Sequence, residues 1–212
     1  MEELNLIQKI AIYALPVLLA ITLHEAAHAY AAKRFGDATA YMMGRMTLNP
    51  LKHIDPVGTV LLPLLSLVLG GFLFGWAKPV PVNFGALRHP RSGMRWVAAA
   101  GPAANLLMAI LWVLLLKLAI VMNNSYSEPL ALMSHAGVRI NVVLMVLNLM
   151  PILPLDGGRI VESLLPRPLA YNFSRLEPYG MWILLALVFT GLLSPILRPF
   201  TTMVYELLGF LL

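Results

Sequence analysis

The chain contains no cysteine. Disulfides and thiolate ligands are therefore excluded, and any metal site must be built from His, Asp or Glu. Charge is also scarce. Only 12% of the 212 residues are Asp, Glu, Lys or Arg, about half the share usual in soluble domains. A water-soluble domain of this size could not cover its core with so few charges, and a bilayer as solvent removes that requirement. No polar linker, internal repeat or low-complexity segment interrupts the chain, so residues 1–212 are read as a single integral-membrane domain. The net charge of +5 is carried by scattered basic residues. With no basic stripe, nucleic acid is excluded as a partner. In a membrane protein such an excess marks cytoplasmic loops instead.

What is abundant is apolar sequence, at 59% of residues. A spanning helix needs about 20 mainly apolar residues. Ile10 to Ala32 meets that length but carries His24, Glu25 and His28 in its second half. The chain begins Met-Glu-Glu, acidic where a signal peptide is basic, so this run is read as an uncleaved first span. Val57 to Ala77 is uncharged, with Gly70-Gly71 inside it, and Trp96 to Leu116 is the cleanest span. Ile140 to Leu155 is short and extendable backwards past Arg139. Pro178 to Leu197 reads as a further span, and Pro199 to Leu212 is too short for one. The expected fold is an all-α polytopic membrane protein with five to six transmembrane or re-entrant segments, and room for a short β-strand or hairpin near residues 77–84.

Loop charge sets the expected orientation. Residues 33–56, 78–95 and 156–177 hold most of the basic residues, and 117–139 is poor in them. The first three are therefore expected to be cytoplasmic and the last external. His24, His28 and Asp156 then all fall toward the cytoplasmic ends of their segments. The same assignment makes 57–77 begin and end on one side, either as a re-entrant pair or as an exception to the charge rule.

His24-Glu25-Ala26-Ala27-His28 is an H-E-x-x-H sequence in a helical pattern. Residues four apart lie about 40° apart around a helix and one turn along it, so both imidazoles can reach one metal ion. Glu25 sits beside them, placed to take a proton from water as a general base. Ionisable residues are costly inside a membrane and mark function there. Catalytic zinc takes three protein ligands and keeps a position open. The candidates for the third are His53, Asp55, His89, His135, Asp156 and Glu162, with Asp37 behind them. Asp156 stands out because it ends an apolar run and precedes Gly157-Gly158, which allow close backbone approach. It could also serve as the N-cap of the following helix.

These motifs together resemble the site-2 protease family of intramembrane zinc metalloproteases. The resemblance rests on His24-Glu25-x-x-His28, followed some 120 residues later by Asn148-Leu-Met-Pro151-Ile-Leu-Pro154-Leu-Asp156-Gly157-Gly158-Arg159. Gly101-Pro102-Ala-Ala-Asn105 and Asn49-Pro50 to Asp55-Pro56-x-Gly58-Thr59 carry it too. It covers roughly residues 15 to 165. It implies that Asp156 is the third ligand of one Zn2+ per chain, and that substrates are transmembrane segments of other proteins. Two departures stand out: the chain has no PDZ-like insertion, and it holds the extra apolar segment 57–77.

Other residues receive expectations with alternatives. Asn148 is a candidate catalytic residue, donating a hydrogen bond to the oxyanion or the substrate backbone, or else a helix-packing amide. Asn105 and Asn141 read as packing, with Gly101 permitting close helix approach. Residues 77–84, with Pro79 and Pro81 alternating with Val80 and Val82, read as an edge strand for substrate or as a plain extended loop. His53 reads as solvated by default, with a role behind the metal ligands or at a gate as the alternative, and His89 and His135 read as surface. The competing function is a membrane zinc-binding protein or transporter with the same ligands and no hydrolysis. The sequence leaves the oligomeric state open.

Overall fold

The computed structural model describes residues 5–61, 78–122 and 124–212. Among the described residues every regular element is helical and there is no β-strand.

Helix α1 (Leu6–Phe35) starts at Asn5, whose side chain accepts from the Gln8 amide while Gln8 returns a bond to the Asn5 amide. This reciprocal box satisfies two otherwise orphaned N–H groups. The helix ends at Gly36, whose φ of 115° is left-handed and favours glycine. Asp37 N then returns to Ala32 O at 2.9 Å. Lys33 and Arg34 in the last turn complement the negative end of the helix dipole.

A short helix α2 (Thr39–Met42) follows, then single turns at Pro50–Lys52 and Pro56–Leu61. Residues 78–83 run as a strap without helix, and a 3₁₀ turn covers Phe84–Ala86. The long helix α3 (Pro90–Met122) packs most extensively against α4 (Ser127–Asn148), and both pack against α1. Helices α5 (Asp156–Leu164), α6 (Arg167–Ser174), α7 (Glu177–Phe189) and α8 (Leu193–Gly209) complete the chain.

The main core joins α3, α4 and α8 through Ala109, Val113, Val142, Met145, Val146, Leu197 and Val204. On its other side α3 presents Leu107, Leu111, Leu114 and Leu118 uncovered. These recur every three or four residues, so they form one apolar stripe. Such a stripe is a liability in water and a normal lipid-facing surface in a bilayer. Among the described residues three helices are long and apolar enough to cross a membrane: Ile7–Phe35, Pro90–Met122 and Ser127–Asn148.

Three sequence expectations change here. Pro178 to Leu197 is not one straight span: α7 and α8 meet at 88°, and counted together they give at most a fourth crossing. The break holds Gly191 at φ 72°, a conformation that ends a helix inside a run whose hydropathy is continuous. The expected five to six segments therefore become three to four among the described residues, and most of Val57–Ala77 lies outside them. Of the two readings of residues 77–84, the strand is not formed among the described residues and the extended loop is what is present. Its amides are instead engaged singly, Val80 by the Glu25 side chain and Asn83 by the Asp37 side chain, so no ladder forms. Ala77 itself lies outside the described residues.

Candidate metal centre

Helical periodicity brings His24 and His28 onto one face of α1, with ring centroids 4.7 Å apart and planes at 83°. Both are buried, at 8% exposure each. Asp156 comes from the first turn of α5 and faces both rings. Its Oδ2 lies 3.3 Å from His24 Nε2 and its Oδ1 lies 3.3 Å from His28 Nε2. The two Nε2 atoms are 3.1 Å apart. Asp156 is not the N-cap of α5; that position is Leu155, and no side chain caps it. As an anion in the first helical turn it also gains from the helix dipole. Gly157 and Gly158 let that turn approach the preceding loop. A Cβ at Gly157 would sit 2.2 Å from Leu149 O, and one at Gly158 would sit 2.6 Å from the Leu153 amide nitrogen.

The outer ring nitrogens determine which tautomers point inward. His28 Nδ1 lies 2.7 Å from Val97 O, a carbonyl that can only accept, so Nδ1 carries the proton. His24 Nδ1 lies 2.6 Å from Asn105 Oδ1. The orientation of that amide is fixed by its neighbours, since Asn105 Nδ2 donates to Ala20 O and to Asn141 Oδ1, and Asn141 Nδ2 donates to Gly137 O. His24 Nδ1 therefore also carries its proton. In their neutral forms both rings would present Nε2 lone pairs toward each other and toward a carboxylate, and Asp156 Oδ2 is buried without a hydrogen-bond partner. Converging lone pairs repel unless a cation lies among them.

Two imidazoles and one carboxylate form a catalytic zinc donor set. Tetrahedral zinc with Zn–N of about 2.0–2.1 Å requires ligand atoms about 3.3 Å apart, close to the spacing present. The residues fit the ion, and the three are the group among the described residues able to hold one.

Sequence reasoning read Asn105 only as a packing amide, and its hydrogen bond to His24 was missed. The available signal was spacing: Val97, Gly101 and Asn105 recur every four residues, so one face of α3 meets both histidines. Outer-shell partners of this kind fix ligand tautomers, and losing one typically costs about 10- to 100-fold in metal affinity. Asn105→Ala is expected to weaken zinc binding by that factor in competitive chelator titration; wild-type affinity would show that the amide relay does not tune the site. Gly101 is closer still. A Cβ there would stand 2.3 Å from His28 Nε2 and 2.6 Å from His24 Cε1. Gly101→Ala should therefore lower zinc affinity by at least about tenfold, with helix content by circular dichroism unchanged. Undiminished affinity would mean that the rings sit farther from α3.

Other expected residues divide. Glu25, adjacent to His24, is part-buried, and its Oε2 accepts from the Val80 amide at 2.8 Å. Asn148 ends α4 and donates to Leu144 O at 3.0 Å in its own helix, with no hydrogen bond to the three clustered residues. His89 and His135 are exposed, as expected. His53 is not solvated: it is 1% exposed, its Nε2 lies 3.0 Å from Thr47 O, and its carbonyl accepts from Lys78 N. Asp37, the least favoured ligand candidate, is buried on Thr39 and Asn83, away from the metal cluster.

The profile of Peptidase family M50 matches residues 118–190, a stretch that includes Asp156 but not the H-E-x-x-H motif. "Putative zinc metalloprotease YwhC" of Bacillus subtilis is 41% identical over 187 residues, covering 86% of this chain and 82% of that protein. "Putative zinc metalloprotease Rip2" of Mycolicibacterium smegmatis is 32% identical over 198 residues, covering 91% and 71% respectively. No solved structure matches the chain closely. With the helices long enough to cross a membrane, these relationships establish that the chain is a multi-pass membrane protein belonging to peptidase family M50.

Proposed function

We propose that this chain is an intramembrane zinc metalloprotease that hydrolyses peptide bonds within or near transmembrane segments of other membrane proteins. The observation carrying this reading is the convergence of His24, His28 and Asp156 next to Glu25. The two relatives named above carry zinc metalloprotease in their names, which supports the same ion here. Zinc, when bound, supplies a Lewis acid that polarises a carbonyl and makes water a nucleophile near neutral pH.

The chain's own residues supply the rest. A Glu25 oxygen takes the proton of the attacking water and passes it to the leaving amine nitrogen. Asn148 Nδ2 has a second N–H beyond the one given to Leu144, and it can donate to the oxyanion or the substrate backbone. A helical substrate hides its amides, so it must be held extended. Loop charge puts the site toward the cytoplasmic side.

The test compares membrane-protein fragments in cells carrying wild type and Glu25→Gln. Fragments ending within or near transmembrane segments are expected only with the wild type. Identical fragment sets in both strains would leave the zinc-binding or transport reading in its place.

A further inference from the structure

The strap 78–83 touches the proposed general base through one hydrogen bond, from Val80 N to Glu25 Oε2. Its position depends on anchors at both ends. At the start, Lys78 N donates to His53 O at 2.9 Å, and Arg45 Nη2 donates to Lys78 O at 3.0 Å. The Val80 side chain packs with Ala29 of α1 and Ala40 of α2. At the far end stands Asp37, 1% exposed. Its Oδ2 accepts from Asn83 N at 2.7 Å, and its Oδ1 accepts from the Thr39 amide and hydroxyl. The left-handed Gly36 turn sets this carboxylate directly beyond the helix that bears His24, Glu25 and His28. Beside it, Arg88 N donates to Phe35 O at 2.9 Å and fixes the chain after the strap to the same helix end.

We propose that Asp37 is a positioning residue for peptide hydrolysis: its buried carboxylate locks the strap so that the Val80 amide holds Glu25 beside the metal centre. The claim rests on the proteolytic reading of Glu25. The geometry closes on itself, running from the end of α1 through Asp37 and Asn83 to Val80, and back to Glu25 in α1. Pro79 and Pro81 have no N–H, so Val80 offers the single amide between them. Burial would raise the Asp37 carboxyl, but the bonds from Thr39 and Asn83 outweigh it and hold it below the usual carboxylate range. An ionised acceptor makes each of those bonds stronger than a neutral one. Asparagine at this position has nearly the same shape but one acceptor oxygen, so it cannot serve both Thr39 and Asn83.

The experiment uses the full-length purified protein, wild type against Asp37→Asn and Glu25→Gln, with a transmembrane substrate in liposomes. Asp37→Asn is expected to lower kcat about 10- to 100-fold through misplacement of the base. Its KM should change by less than about threefold, since substrate binding is not what is lost. Zinc content should equal that of wild type. Amide exchange of residues 78–83, read by mass spectrometry, should become at least about tenfold faster while α1 keeps its protection. Unchanged kcat, unchanged strap exchange, or loss of zinc from Asp37→Asn each overturns the proposal, the last by reducing Asp37 to a general folding role. Equal cleavage by wild type and Glu25→Gln overturns the proteolytic reading instead, and Asp37's hold on the strap is then judged by exchange alone.

Discussion

Glu25→Gln should leave one zinc per chain and lower kcat about 10²- to 10⁴-fold, the range that general acid–base catalysis contributes. The substitution separates two roles of one side chain. Glutamine keeps a carbonyl oxygen, so it can still accept from Val80 N and leave the strap in place. It cannot take up a proton at neutral pH, so the nucleophile loses its base and the leaving amine its acid. None of the three proposed ligands is touched, and the hydrogen bonds of His24 to Asn105 and of His28 to Val97 are unaffected. The checking measurements are zinc content by mass spectrometry and single-turnover cleavage of a reconstituted transmembrane substrate. Cleavage at the wild-type rate would remove the proteolytic mechanism, and loss of zinc would mean that Glu25 holds the ion.

The second large effect is expected at Asp156→Ala. The carboxylate is the sole anion facing the two imidazoles within the cluster, with 3.3 Å to each. Without it two neutral nitrogens remain, one ligand short of the three that catalytic zinc requires. Zinc affinity should fall by more than the roughly 10- to 100-fold that an outer-shell partner is worth, and activity should fall with it. His53 is not among the side chains whose ligand atoms converge, and its Nε2 is held by Thr47 O. Full zinc occupancy in Asp156→Ala at low micromolar metal would require a different ligand and a different site.

The metal cluster was legible in the sequence because each part follows from a local rule. An H-E-x-x-H spacing on a helix puts two rings on one face, and an Asp ending an apolar run before two glycines can enter a tight space. Loop charge alone put the three residues at similar depth, and their atoms meet. What the sequence concealed depends on long-range partners. Asn105 reads like any buried amide until its neighbour is known to be His24, 81 positions earlier. Asp37 reads only as the least favoured metal ligand until Asn83, 46 positions later, donates to it. His53 reads as solvated because it lies beside Asp55 in a connector expected to be cytoplasmic, whereas the surroundings that bury it are tertiary. The break between α7 and α8 escaped for another reason. Hydropathy records how apolar a run is, not whether it is straight, and Gly191 bends it without changing that average. Alternation near 77–84 leaves an edge strand and a plain extended loop both open, because it identifies an extended chain but not a partner for it. Among the described residues the amides of Val80 and Asn83 bond carboxylates, not a neighbouring strand.

X-ray absorption at the zinc edge of the metal-loaded protein is the most direct test. It should report one zinc per chain with two imidazole nitrogens at about 2.0–2.1 Å, a carboxylate oxygen and one exchangeable light-atom neighbour, and the oxygen contribution should diminish in Asp156→Ala. A shell with fewer than two imidazoles, or one that Asp156→Ala leaves unaltered, would contradict the assignment of His24, His28 and Asp156 to a single ion.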